Sequence, residues 1–342
     1  MFKVQTLNNI SSKGLSRFPH ESYSLAEDIA DPQAIILRSY NLHDRPIPDS
    51  VLAIARAGAG VNNIPVTDCT KRGIIVFNTP GANANSVKEL VIAALLLSAR
   101  GIHPGLSWTG TLGGKGNEVA KLVEKEKARF AGTEILGKKL GVVGLGAIGA
   151  MVANAAIGMG MEVIGFDPFI SVENAWGLSR SVRRARSLDA LFAEADYITL
   201  HVPLTDDTKN TINRSRIASM KKGVRIMNFA RGGLVANDDI IAAVDSGQVA
   251  GYVTDFPEDV LLGRPGILCV PHLGASTEEA EDNCAVMAVE QLKAFLETGN
   301  IRNSVNFPDC QMDLNHRTRL LVANRNIPNL VGQITTVLAN GG

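Results

Sequence analysis

Cysteine is scarce in this chain: Cys69, Cys269, Cys284 and Cys310 are its only four in 342 residues, with no Cys-x-x-Cys pair and no histidine spaced to join them as metal ligands. That spacing argues against a disulfide framework and a structural metal site, and it predicts free thiols in a reducing compartment. Net charge is absent too, with 34 Lys and Arg against 34 Asp and Glu and no basic block. Nucleic acid and anionic membrane surfaces are therefore poor partners, although a local group of arginines still suits a small anion. Long apolar runs are missing: "ELVIAALLLSAR" is too short and too closely flanked by charge to span a bilayer, and the start "MFKVQTLNNISSKGL" has no signal-peptide core. The default placement is cytoplasmic.

What is present is the composition of a globular protein, 45% hydrophobic and 20% charged, in a chain long enough for two domains. Short apolar runs recur between polar or helical stretches, at "FKVQTL", "AIILRSY", "VLAIARAG" and "GIIVFNT", and later at "VIGFD", "YITLHVP", "VRIMNFA", "VAGYVTDF" and "ILCVPH". This alternation predicts two parallel α/β units. Two long helices are expected to join them, each opened by a capping box, Ser86 with Glu89 and Ser276 with Glu279. Such an arrangement implies a cleft, with ligands beyond the carboxyl ends of the strands. The residues to inspect there are Arg38, Arg56, Asp167, Val202, Arg231, Asp255 and His272.

Between the two groups of runs, "GVVGLGAIGA" sets Gly144, Gly146 and Gly149 at the spacing of a dinucleotide-binding turn, after a buried-strand pattern and before a helix of small residues. Glycine lets backbone approach a pyrophosphate, and the helix N-terminus offers N–H groups. Ala147 and Ile148 fill the variable positions, so the turn presents backbone rather than a cationic side chain. Asp167 follows at the next strand end, placed to accept from ribose hydroxyls and to repel a 2′-phosphate, which favours NAD over NADP.

"NFARGGLV" places Arg231 after a strand, where it either caps a turn or grips a carboxylate with its planar fork. "CVPHLGAS" delivers His272, one of six histidines, from another strand end. A histidine is often structural, but oxidation of a secondary alcohol needs a group that accepts the hydroxyl proton near neutral pH. Between them "TDFPED" supplies Glu258 and Asp259, either a solvated acidic loop or an orienting partner for the imidazole.

With these motifs, and with "LRSYN", "ARAGAGVNNIPV", "GIIVFNTPGANANSVKELVIAALLLSAR" and "PHLGASTEEAEDNCA", the chain resembles the D-isomer-specific 2-hydroxyacid dehydrogenases over nearly its whole length. The resemblance implies a doubly wound, flavodoxin-like substrate domain of residues 1–97 with 276–305, and a Rossmann NAD domain of 98–275. It implies a catalytic set of Arg231, an acid and His272. The acid matches Asp259, although the local pattern is one residue shorter than the family's and Glu258 remains a second candidate. It also implies NAD contacts at Val202, Ala230 and Asp255, with Ala59 and Val202 replacing hydroxyl residues common in the family. A substrate phosphate falls to Arg38 and Arg56 with Ala57 and Gly58 beside them. The implied activity is oxidation of 3-phospho-D-glycerate with NAD; a sibling activity on hydroxypyruvate/glycerate or D-lactate, and an NAD-sensing binding protein, are the alternatives. The resemblance further implies a homodimer or homotetramer formed along residues 85–108, and residues 316–342 resemble the opening strand and helix of an ACT domain.

Overall fold

The computed structural model describes residues 1–313, 319–324 and 327–341. It divides into two compact units, residues 1–80 with 281–342 and residues 81–280.

The first unit carries a five-stranded sheet of β1 (Phe2–Leu7), β2 (Tyr23–Ala26), β3 (Ala34–Leu37), β4 (Ala53–Arg56) and β5 (Ile75–Phe77), in the order β2-β1-β3-β4-β5. Every pairing is parallel. That is the flavodoxin-like order, whose direction reverses between β1 and β3. Ile35, Leu37, Ile54 and Val76 alternate onto one face, where Leu42, Val51, Ile64 and Cys69 cover them. β2 has no counterpart among the apolar runs, because "YSLA" is only four residues and three of them are half-exposed.

The second unit carries β6 (Lys139–Val143), β7 (Glu162–Phe166), β8 (Arg183–Arg184), β9 (Tyr197–Leu200), β10 (Val224–Asn228), β11 (Val249–Thr254) and β12 (Ile267–Cys269), in the order β12-β11-β10-β9-β6-β7-β8, again all parallel. Read from β8, this is the Rossmann order, reversing between β6 and β9. Period two sorts each strand onto two cores: Val143, Ile164, Ile198 and Ile226 onto one, and Leu140, Val142, Val163, Tyr197 and Met227 onto the other. Both faces are buried, so the strands read as continuous apolar runs.

The helix Ala84–Ala99 belongs to this second core, contributing Val87, Val91, Ala94 and Leu95. The division therefore falls at 80/81 rather than at the 97/98 expected from the sequence. The long helix expected across residues 85–108 is two, Ala84–Ala99 and Ile102–Gly110, bent by 75° where Arg100 is extended. No single helix among the described residues is long and apolar enough to cross a membrane.

Both capping boxes are corrected. Asn83 precedes the first helix without a side-chain cap, and the Ser86 hydroxyl instead donates to the Gly274 carbonyl at 2.8 Å. The helix Glu278–Thr298 is capped by Thr277, whose hydroxyl accepts from the Ala280 amide, and not by Ser276. Of the ACT-like segment, 316–318, 325, 326 and 342 lie outside the described residues. Residues 319–324 form no regular strand, and a helix runs over Leu330–Asn340.

Candidate active site

Three loops at the carboxyl edge of the second sheet hold most of the expected residues. The first is the glycine turn after β6. Gly144 has φ +90°, and a Cβ there would lie 2.5 Å from the His201 carbonyl oxygen and 2.9 Å from Val202, at the end of β9. A Cβ on Gly149 would lie 2.0 Å from the Gly144 carbonyl oxygen. These two glycines are demanded by the fold itself. Gly146 differs: a Cβ there meets nothing within 4 Å, so the space above the turn is open just where the helix Ala147–Gly158 begins without a side-chain cap. Its free N–H groups and the bare backbone form an anion cradle.

Asp167 follows β7 and ties this turn down: Oδ2 accepts from the Leu145 amide and Oδ1 from the Phe169 amide, both at 2.8 Å. Each oxygen keeps a lone pair for a hydroxyl donor. On the other side of the turn, burial pushes His201 down to about 3, and its Nε2 shares a 2.9 Å hydrogen bond with the Thr199 hydroxyl. His201 is therefore held in its neutral form at physiological pH.

The second loop follows β10. Asn228, 1% exposed, accepts from the Ala230 amide and donates to the Arg231 carbonyl, folding the strand end into a tight turn. Arg231 is thrown outward; its Nη1 donates to the Ala230 carbonyl at 2.6 Å, and it makes no ion pair among the described residues. The sequence reading passed over Asn228, although an amide side chain ending a buried strand just before the arginine was the available signal.

The third loop joins β11 to the segment after β12. Asp255 is 1% exposed and neither carboxylate oxygen has a hydrogen-bond partner. Burial holds its carboxyl above the usual range, while His272, nearby backbone amides and Arg231 pull it back. His272 and Arg231, both expected in the catalytic set, thus bear on one buried carboxyl. His272 is exposed, with the Phe256 ring 4.9 Å from its own, and the Ser86 hydrogen bond fastens Gly274 two residues later. Asp259 and Glu258 stand apart from this pair. Both are exposed, Asp259 opens the short 3-10 turn Asp259–Leu261, and neither makes an ion pair with His272 among the described residues. Asp255 makes no ion pair with His272 either among the described residues, although that ring and Arg231 both help to pull its carboxyl down.

An orphaned carboxylate in a buried site accepts hydrogen bonds from an amide NH2, and the bare backbone at Gly146 accepts a pyrophosphate. The residues present therefore fit a nicotinamide dinucleotide: the turn from Gly144 to Gly149, with Ala147 and Ile148 at the helix start, Asp167 for the ribose, Val202 and Ala230 beside the strand ends, and Asp255 for the carboxamide.

In the first unit, Arg38 follows β3 at the reversal point of the sheet, and Arg56 ends β4. Arg56 Nε donates to the Arg38 carbonyl at 3.0 Å. Ala57 is buried, and a Cβ on Gly58 would lie 2.6 Å from Arg56 Nη1, so the missing side chain makes room for the guanidinium. Arg38 Nη1 meets Glu281 Oε1 at 2.6 Å, an ion pair that the sequence reading did not foresee.

Comparison with known proteins gives a consistent result. Residues 92–274, over half the chain, match the family model described as D-isomer specific 2-hydroxyacid dehydrogenase, NAD binding domain. The chain is 38% identical over 288 residues to a D-3-phosphoglycerate dehydrogenase of Synechocystis, covering 82% of this chain and 50% of that protein. It is 32% identical over 331 residues to the Bacillus subtilis D-3-phosphoglycerate dehydrogenase, covering 92% and 60%. This chain thus spans about half to three fifths of the length of these curated relatives. Among solved structures, NAD+-bound 3-phosphoglycerate dehydrogenase of Entamoeba histolytica superposes with a TM-score of 0.67 at 26% identity, covering 90% of this chain and 99% of that one.

Proposed function

This chain belongs to the D-isomer specific 2-hydroxyacid dehydrogenase family, and on that premise we propose that it oxidises 3-phospho-D-glycerate to 3-phosphohydroxypyruvate with NAD, the entry step of serine synthesis. The observation that carries the chemistry is Asp255, a buried carboxyl without a direct hydrogen bond, on which both Arg231 and His272 bear. The substrate assignment is supported by the relatives' activity and by the two strand-end arginines, since an unphosphorylated acid needs no second anion site.

Bound NAD supplies the hydride acceptor. Arg231 binds the substrate carboxylate through its planar fork and draws charge toward the C2 oxygen. His272 accepts the C2 hydroxyl proton at a ring nitrogen, and the Asp255 charge favours the imidazolium that results. Asn228 holds the turn that aims Arg231, and Ser86 holds the loop that carries His272. Arg38 and Arg56 receive the phosphate. Whether Asp259 or Glu258 also supports His272 is decided by the pH profiles of Asp259→Asn and Glu258→Gln; our reading expects Asp255→Asn to alter the profile more than either.

We extend the proposal to a reducing, cytoplasmic setting, a reading supported by four free thiols, two of them buried, and to a homo-oligomer, a reading that rests on the family resemblance alone. The test of function is NADH formation with a panel of D-2-hydroxy acids, repeated with Arg56→Ala. Phosphoglycerate is expected to be the best substrate, and the variant to raise its KM by about tenfold or more, the worth of one charged hydrogen-bond pair. Turnover of D-lactate equal to that of phosphoglycerate would sink the assignment.

A further inference from the structure

The ion pair of Arg38 and Glu281 sits where an anion is expected to bind. Its side chains are 33% and 43% exposed, and pairs exposed to that degree contribute little to stability, so its presence at a strand end is not explained as a structural staple. One helical turn beyond Glu281, Cys284 is 4% exposed. Burial pushes its thiol up, the Thr79 hydroxyl, Arg38 and Arg56 pull it down, and Glu281 pushes it up again. Arg38, Arg56 and Glu281 thus all bear on the buried Cys284 thiol, and the first and last of them are paired at 2.6 Å. Arg56 Nε donates to the Arg38 carbonyl, while the Arg38 guanidinium is held by Glu281.

We propose that Glu281 is a built-in counter-anion, holding Arg38 until a substrate phosphate displaces it, and thereby setting how strongly the chain prefers phosphorylated to unphosphorylated acids. The proposal rests on the reading that Arg38 and Arg56 receive the phosphate. A phosphate dianion brings more charge and more acceptor oxygens than a carboxylate, so it wins the exchange where a hydroxyl does not. The cost of displacing Glu281 lowers phosphate affinity, and the charge of Glu281 remains close to the bound dianion.

The substitution Glu281→Gln removes the charge and keeps an oxygen that accepts from Arg38. Titration of the intact chain with inorganic phosphate by calorimetry is expected to give affinity about three- to tenfold tighter in this variant, as befits one partly exposed charge. The ratio of kcat/KM for 3-phospho-D-glycerate to that for D-glycerate should rise by a similar factor. In an Arg38→Ala background the same substitution should change neither quantity, whereas a general loss of packing would act in both backgrounds. Equal or weaker phosphate binding in Glu281→Gln, no measurable binding in either protein, or an equal effect without Arg38 overturns the proposal. Absence of phosphoglycerate oxidation by the unmodified chain refutes the substrate reading instead, and the calorimetric comparison still decides the role of Glu281.

Discussion

At the end of β3 a guanidinium meets a carboxylate at 2.6 Å, whereas just past β11 a carboxylate is sealed in with neither oxygen hydrogen-bonded. Both lie at the carboxyl edge of a parallel sheet, but one charge is paired directly within its own unit and the other is only partly compensated, by His272, Arg231 and nearby backbone amides. A matched, half-exposed charge costs little to maintain, while a buried one that is only partly compensated costs stability in the free protein. The second unit thus stores an unmet demand that a hydrogen-bond donor satisfies, and the first holds a reservoir of charge that an anion must compete for.

The sharpest break of this contrast is at the turn. Gly149→Ala puts a methyl group against the Gly144 carbonyl oxygen, and NADH binding measured by fluorescence should fall by about 100-fold or more. Binding that survives within a few-fold would mean that the turn does not present its backbone to the cofactor. Next, His272→Gln should lower kcat by about 10²- to 10⁴-fold with little change in NADH binding, and the rise of rate with pH should disappear. An unchanged pH profile would remove His272 from proton transfer.

Asp255→Asn addresses the stored demand directly. The folded chain holds this carboxyl above the usual range, so it binds a proton more readily than the unfolded chain between the ordinary value and the raised one. Stability contributed by that proton is present at low pH and is lost as pH rises through the window. The variant should therefore be more stable than the parent at neutral pH, by about 1–3 kcal/mol in thermal unfolding, and lose activity. A lower melting temperature at neutral pH would show that the carboxylate is satisfied after all. The smallest effect is expected for Ser86→Ala, which strands the Gly274 carbonyl in a buried site and should cost about 1 kcal/mol in thermal unfolding. A larger loss of kcat than of stability would mark Ser86 as a positioning residue for the His272 loop.

Much of the fold was legible beforehand. In the second unit, runs such as "GVVGLG" and "YITLHVP" mark strands buried on both faces, because each successive side chain meets a core. β2 and β8 were not legible, since a four-residue and a two-residue edge strand with few buried positions carry no period. Helix starts were misread by the same local reasoning: the capping-box pattern at Ser86 is real in the sequence, but a carbonyl from residue 274 claims the hydroxyl. Among the site residues, those at strand ends were legible because topology sends strand ends to the ligand edge. The partners of those residues were not.

The sequence by itself determined the alternation of strands and helices, the glycines that two close backbone approaches require, and the chemical types available at the strand ends. Those follow from interactions between near neighbours and from side-chain period. Tertiary structure alone decided that His272 and Arg231 both bear on the buried Asp255, that Glu281 holds Arg38, and that the helix Ala84–Ala99 packs with the second unit rather than the first. Each of these depends on groups 17 to more than 200 positions apart in the chain, and burial and Coulomb energy respond to distance in space, which neither spacing nor composition encodes.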